Sequence, residues 1–447
     1  MAPFLFTPLY RLYPFTLFNQ GGNLIPYEYT GYKNEILASK STAWLGTTLN
    51  NSPIYDVKGS DAAKFLTSVC INSFMKMKPG SIRHAVMCNE KGQILTDGVV
   101  MMIGDNHFRT YWLNPVIGYY VSITDMDIEG ENLSGKEFFF QLAGPKSLEI
   151  LEQASQSDLH DIGFTKHRMA QIAGIDVRVL RLGMAGTLGY EVHGDMADIE
   201  TVYNCIWEVA KKFDAKKLGQ VAYTMNHTEA GFPNINMHYP LPWYETAGLK
   251  EYIASRPMEG FFNLNRVLVG SVGDDLESRF VTPYDLGWEY LIKFDHEFPG
   301  KAALEEIAKA PARALVTLEW NPDDLGQIFA SQFRGQDVEP FESMDDRPMD
   351  MYYNSGFSMF YHADIVLADG KEIGISSGRL NSYYYQRMIS LAFISPEYAV
   401  EGKELTLIWG TPGKPQTEIR VKVARTPYMN LENNKEIDVD DIPHYSK

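Results

Sequence analysis

Three prolines within ten residues, Pro233, Pro240 and Pro242, rule out one regular helix across VAYTMNHTEAGFPNINMHYPLPWYETAGLKEY, the stretch from Val221 to Tyr252. Each removes a backbone donor and drives the residue before it toward extended geometry. Phe232 to Trp243 is therefore expected to be an irregular, aromatic-rich loop between two helical pieces. Such a loop either covers a neighbouring core or lines a pocket, and candidate chemistry is placed here first.

A chain of 447 residues exceeds one ordinary core; at roughly 150 residues per domain it suggests about three. Its 40 basic and 57 acidic residues leave a formal charge of −17. That balance argues against non-specific binding to nucleic acid or to an anionic membrane, both of which need a basic surface. Cys70, Cys88 and Cys205 form no CxxC pair, so neither a disulfide framework nor a cysteine zinc site is indicated, and a reducing cytoplasm fits. The first residues, MAPFLFTPLYRLYPFTLF, are apolar but lack a preceding basic region and are broken by Pro3, Pro8 and Pro14. They are expected to form an arm, 1–24, laid over the body rather than a signal peptide. No later run reaches the roughly 18 apolar residues that span a bilayer, so a soluble protein is expected.

NSPIYDVKGSDAAKFLTSV predicts a short strand, a turn at Gly59 and a helix with Asp61 near its start. HAVMCNEKGQILTDGVVMMIGDNHFRTYW predicts a β-meander with turns at Asn89 to Gly92 and Gly104 to Asn106. FFFQLAGPKSLEIL reads as strand, break and helix, and VRVLRLGMAGTLGYEVHG as strand, glycine-rich turn and strand. A helix over 197–213 follows. Together these units predict an α+β body, 25–312, of antiparallel sheets covered by helices. From Arg313, the runs ALVTLEW, FSMFYHADIVL, EIGISSG, MISLAFI, LTLIWG and IRVKVAR are strands at turn-separated intervals. They predict a small β-barrel or sandwich, 313–428. The remainder, 429–447, is an acidic tail expected to be loosely held.

Gly183, Gly186 and Gly189 make a GxxGxxG turn, but a strand follows where a dinucleotide fold needs a helix, so a Rossmann site is excluded. There is no GxxxxGK[ST] loop, no GxSxG elbow, and no HxH or HExxH spacing for a metal. Glu191, in the short apolar strand Tyr190-Glu191-Val192, either faces outward or lies inside, where it needs a partner such as a ring with adjacent N–H donors. Asp97 and Glu229 pose the same choice. By elimination, an acid/base reaction around a bound cofactor remains.

Taken in order, NEKGQILTDGVV, QLAGP, the GxxGxxGYE turn ending in Glu191, AYxxNxxEAG ending at Gly231 and TPYDLGWEYLIKFDHEFPGKAALE resemble the aminomethyltransferase (glycine cleavage T-protein) superfamily. PLPWYETAGLKEY, LVTLEWNPDDL and WGTPGKP narrow the resemblance to the tetrahydrofolate-dependent aromatic O-demethylases of vanillate, syringate or 3-O-methylgallate. It covers about residues 25 to 428. It implies a three-domain folate-enzyme fold with the pterin in a central funnel. Position by position, it implies that Glu191 holds the amino and N–H donors of the pterin and that Gln141 contacts folate. Tyr223 and Glu229, in AYxxNxxEAG, are implied at the folate site, Tyr244 near the methyl group, and Tyr29 on the substrate side. Asp97 falls on the acidic pair of the aminomethyltransferases, which here is Thr96-Asp97. The demethylases carry a histidine in the segment that reads LNNSPIY at Leu49 to Tyr55, so either another group, His238 or Tyr239, takes that role or the substrate is not the usual carboxylated methoxyphenol; Trp243 is a further substrate contact. The reaction implied is transfer of a methyl group from a methoxylated aromatic to tetrahydrofolate, giving a phenol. The rivals are a sulfonium or methylamine donor, a true glycine cleavage protein, and a non-catalytic folate-binding protein.

Overall fold

The computed structural model describes residues 16–20, 23–183, 186–235, 237–256, 265–344, 351–353 and 358–445. Most of the apolar arm expected at 1–24 lies outside them; what is described is a strand, Thr16–Gln20, paired antiparallel with Asn23–Glu28. The chain divides into two units. The first comprises 1–87, 96–226 and 431–447, and the second 88–95 and 227–430.

The first unit is built on two sheets. One has the strand order His167–Ile172, Ile175–Leu180, Gly189–Asp195, Glu137–Ala143, Trp44–Gly46, Lys216–Leu218, antiparallel except where Lys216–Leu218 joins Trp44–Gly46. Side chains alternate across such strands, and the alternation here sorts two chemistries. Phe138, Phe140 and Leu142 face one way with Tyr190 and Val192, into a core closed by the helices Ser147–Ser155 and Ile199–Ala210. Phe138 and Phe140 stack at 4.5 Å and Tyr203 meets Phe140 edge-on. Burying each such ring contributes about 1.5–3 kcal/mol. The intervening residues, Phe139, Gln141, Glu191 and His193, turn to the opposite face and are buried there too.

The second sheet is the expected meander, Ile82–Cys88, Ile94–Gly104 and His107–Tyr111, continued by Ile54–Lys58 and Glu129–Asn132. Residues 431–445 also pack within this unit. Arg181, itself buried, donates to the carbonyls of Asn434 and Ile437, and Asn434 donates to Gly189 O.

In the second unit the six strands from Ala314–Trp320 to Thr417–Ala424 close on themselves, so the barrel alternative is the one realised, and the α+β class is the one observed. Val316, Leu318 and Trp320 point inward from the first strand to meet Val366, Leu407 and Trp409. The helix Pro322–Ser331 starts on Asn321, whose side chain accepts from the Asp323 and Asp324 N–H groups. Among the described residues no helix is long and apolar enough to cross a membrane.

The proline-rich stretch is irregular, as expected, between the helices Gln220–Glu229 and Leu249–Ala254. It is tied to the barrel at His238: Ser377 Oγ donates to His238 O, and Gly378 lies directly against the His238 ring. Gly378 has φ +62°, and a Cβ there would stand 2.4 Å from the imidazole. Gly378→Ala is therefore expected to cost about 1–3 kcal/mol and to expose the loop to proteolysis. Thermal unfolding and limited trypsin digestion check this; an unchanged melting temperature would refute it.

Candidate active site

Antiparallel register places Glu191 directly opposite Gln141, and His193 opposite Phe139. Gln141 is almost fully buried, yet neither its amide nitrogen nor its oxygen has a protein partner. Buried polar atoms are ordinarily paired, so an unpaired primary amide beside a carboxylate is a feature that awaits a ligand with polar edges. Burial alone pushes the Glu191 carboxyl up to about 8. Nothing cationic offsets it. His193 Nε2 comes within 3.3 Å of Glu191 Oε2, but the pair lacks hydrogen-bond alignment and neither atom is satisfied by it.

Tyr223 is buried in the same unit. Its hydroxyl is held neutral first by burial and then by the charges of Glu191 and Asp97, which groups these three residues. Asp97 Oδ2 lies 2.9 Å from His84 Nε2, and Thr96 donates to Trp112 O. Tyr29 stands apart from them: its backbone N–H donates to Glu35, and its buried hydroxyl lies beside Tyr203 and Thr47.

The remaining candidates belong to the second unit. Glu229 accepts from Ser382 Oγ at 2.7 Å, and its carbonyl accepts from Met429 N. His238 is committed on both ring nitrogens: Nδ1 accepts from Asn234 N at 2.9 Å and Nε2 meets Thr228 Oγ1 at 3.1 Å. Burial, with His227 nearby, pulls its imidazole down to about 3, so it serves the loop as a neutral brace. Tyr239 is buried, and Trp243 Nε1 donates to Leu95 O. Tyr244 is half-buried, with the Arg266 guanidinium over its ring at 5.2 Å. Arg266 is anchored by Glu245 at 2.6 Å. Burial raises the Tyr244 phenol, Arg266 opposes that, and Glu245 adds to it. The hydroxyl therefore keeps its proton at neutral pH.

Sequence reasoning missed three features. His193 had a readable signal, since it lies two residues after Glu191 on a strand and so shares its face. The place of Arg266 over Tyr244 had none, since only the fold brings the two together; the sequence offered Arg266, with Arg256, only as a possible contact for a substrate carboxylate. The third is a cluster of Asp158, His160 and His444, whose ligand-type atoms fall within 4.8 Å, where spacing had indicated no metal group. The two imidazoles stack at 3.7 Å and 14°. His160 is engaged by Glu152 and the Ile442 carbonyl, and His444 by Asp158. The cluster fastens residues 442–445 to the body.

The GCVT N-terminal domain family matches residues 25–239. The chain is 58% identical over 422 residues to the sesamin methylene transferase of Sinomonas sp., covering 94% of this chain and 93% of that one. It is 31% identical over 436 residues to the syringate O-demethylase of Sphingobium sp., covering 90% of each. In three dimensions it is similar to the glycine cleavage system aminomethyltransferase T of Bartonella henselae. The TM-score is 0.68 at 17% identity, over 96% of this chain and 98% of that one, a likeness of fold.

Glu191 binds its proton more tightly folded than unfolded. The stability it contributes is complete below the ordinary carboxyl range and is lost as pH rises to about 8. The slope approaches about 1.4 kcal/mol per pH unit in that window. Glu191→Gln is expected to flatten that decline in the ligand-free protein, measured by denaturant unfolding from pH 5 to 8; parallel wild-type and variant curves would refute it.

Proposed function

This chain belongs to the aminomethyltransferase superfamily, close to the aromatic O-demethylases, and from that premise we propose that it moves a one-carbon unit from an aromatic ether oxygen to tetrahydrofolate. The observation that carries the reading is the buried pair Gln141 and Glu191, adjacent in register and with polar atoms unpaired. A pterin edge carries an amino group beside a ring N–H, and a carboxylate next to a primary amide complements it. The residues present therefore fit the cofactor. Tetrahydrofolate, when bound, supplies the ring nitrogen that accepts the carbon.

Glu191 is the anchor of the pterin, Gln141 orients it, and Tyr223 closes the same polar group. Glu229 is left to brace the second unit through Ser382. On the donor side, the bond that breaks is between the one-carbon unit and an aryl oxygen, and the electron pair goes to a phenolate. Tyr244 holds a proton at its hydroxyl and delivers it to that oxygen; the Arg266 guanidinium over its ring steadies the tyrosinate left behind. Positioned donors of this kind are worth about 10² to 10⁴ in rate. Tyr239 and Trp243 supply apolar surface that suits a planar substrate. Asp97, already engaged with His84, keeps that imidazole oriented, and Tyr29 stays on the substrate side.

Two donor classes fit this chemistry. One is the aryl methyl ether, in line with the name of the 31% relative. The other is a methylenedioxy bridge, which gives a catechol, in line with the name of the 58% relative. The higher identity favours the bridge, and so does LNNSPIY, which lacks the histidine expected of the demethylases. The three cysteines form no disulfide with one another, which supports a reducing cytoplasmic setting.

The test is anaerobic incubation with tetrahydrofolate and a panel of methylenedioxy aromatics, methoxy aromatics, methylamines and sulfonium compounds, following the folate product by mass. A folate heavier by one methylene or methyl carbon, formed with a catechol or phenol, is the expected result. Product from a methylamine or sulfonium compound alone would replace the donor class, and folate binding without product would leave a binding protein. Glu191→Ala is expected to weaken folate binding roughly 10- to 100-fold. Tyr244→Phe should slow transfer by about 10² or more at unchanged folate affinity; full activity in that variant would remove Tyr244 as the donor.

A further inference from the structure

The donor side of the second unit carries a charge arrangement that the reaction itself does not call for. Arg266 forks onto Glu245 with both terminal nitrogens, Nη2 at 2.6 Å from Oε1 and Nη1 at 3.3 Å from Oε2. The same guanidinium lies 5.2 Å from the centre of the Tyr244 ring. The Arg266 side chain is 17% exposed and that of Glu245 33%, so solvent screens the pair only in part. Arg266 stands on the strand Asn265–Val269, which runs parallel to Ser358–His362 with Arg266 beside Met359 and Leu268 beside Tyr361. Residues two apart on a strand share a face, so Tyr361 rises from the same side as Arg266. Burial keeps the Tyr361 phenol neutral; Arg266 opposes that, while Tyr244 and Glu245 add to it, which sets the four groups together.

Tyr244 gains nothing from this carboxylate. Burial raises its phenol, the guanidinium favours the tyrosinate left by proton delivery, and Glu245 works against that help. A group that opposes the chemistry has a different use here, which is to take the fork of the arginine. A free guanidinium binds a substrate carboxylate through two parallel hydrogen bonds. One already forked by Glu245 no longer offers that edge, and the glutamate repels an incoming anion. Arg256, just after the helix Leu249–Ala254, is exposed and lays its guanidinium on its own neighbour Tyr252 at 3.7 Å. Of the two arginines that the sequence offers for a substrate acid, one is therefore neutralised and the other is turned to a ring at the surface.

We propose that Glu245 sets the charge of the substrate: by occupying Arg266 it excludes aromatic donors that carry a carboxylate and selects uncharged methylenedioxy or methoxy arenes. This rests on Tyr244 facing the reacting ether oxygen, as in the proposed function. A donor ring held at that hydroxyl lies within the range over which partly buried charges act on one another.

The experiment compares two donors that share the reacting bridge and differ by one charge, methylenedioxybenzyl alcohol and methylenedioxybenzoate, the latter ionised at neutral pH, with the matching methoxy pair alongside. In the wild-type full chain, kcat/KM with tetrahydrofolate is expected to favour the uncharged donor by about tenfold or more. Glu245→Gln, which keeps the shape and removes the charge, should shift that ratio toward the carboxylate by about tenfold or more. Adding Arg266→Gln should abolish the shift, because the released guanidinium is what binds the acid. Both donors share the chemistry at Tyr244, so a change in its proton delivery cancels in the ratio. Equal use of the two donors by the wild type, an unchanged ratio in Glu245→Gln, or a shift that survives the loss of Arg266 would each overturn the proposal. Glu245→Ala gives the same comparison if the glutamine variant folds poorly. Affinities for the catechol products with and without a carboxylate are measured in parallel by equilibrium dialysis. If neither donor is turned over, the proposed function fails, while the affinity ratio still decides the role of Glu245.

Discussion

A carboxyl group buried beside Gln141 with no cation to offset it is the condition around which the first unit is arranged. Glu191 sits on a strand whose other face carries Tyr190 and Val192 into the main core. The strand cannot rotate to release the acid without tearing out that core, so the alternation of a β-strand converts ordinary packing energy into a fixed chemical group. Gln141 is held by the same logic on the neighbouring strand, between Phe140 and Leu142. Removing either anchor layer would weaken the fold and disorder the polar pair together.

The second unit solves a different problem, which is to hold an irregular loop still. Prolines prevent it from forming a regular helix or strand, so its rigidity comes from side-chain ties, some within the loop and some to its neighbours. His238 uses both ring nitrogens and its carbonyl as ties, and Trp243 uses its indole N–H. Tyr244 is presented at the end of this braced segment, with Arg266 laid over it.

Much of this was legible in the chain. The meander from Ile82 to Tyr111, the strand after the GxxGxxG turn and the barrel strands followed from alternation and turn residues, because those signals act between near neighbours. The irregular loop followed from Pro233, Pro240 and Pro242. Family resemblance implied a folate contact for Glu191 and for Gln141 separately, but not that they face each other, since nothing in the spacing of two strands dictates their register. His193 was readable by strand period and passed over. Arg266 beside Tyr244, and His444 stacked on His160, depend on contacts between distant parts of the chain and leave no local trace. The same holds for residues 431–445, whose composition suggested a loose tail but whose Asn434 and Val439 are buried.

The two ties from Arg181 to the Asn434 and Ile437 carbonyls also bear on how the molecule is made. The first unit is discontinuous, with most of the second unit, residues 227–430, interposed between residue 226 and residue 431. Emerging from a ribosome, its sheets can assemble early, but the Arg181 guanidinium has no carbonyls to meet until the barrel has been synthesised. During that interval Arg181, a charge destined for the interior, must stay hydrated, and the six-stranded sheet stays open on that side. Completion of the first unit is thereby timed to follow the barrel.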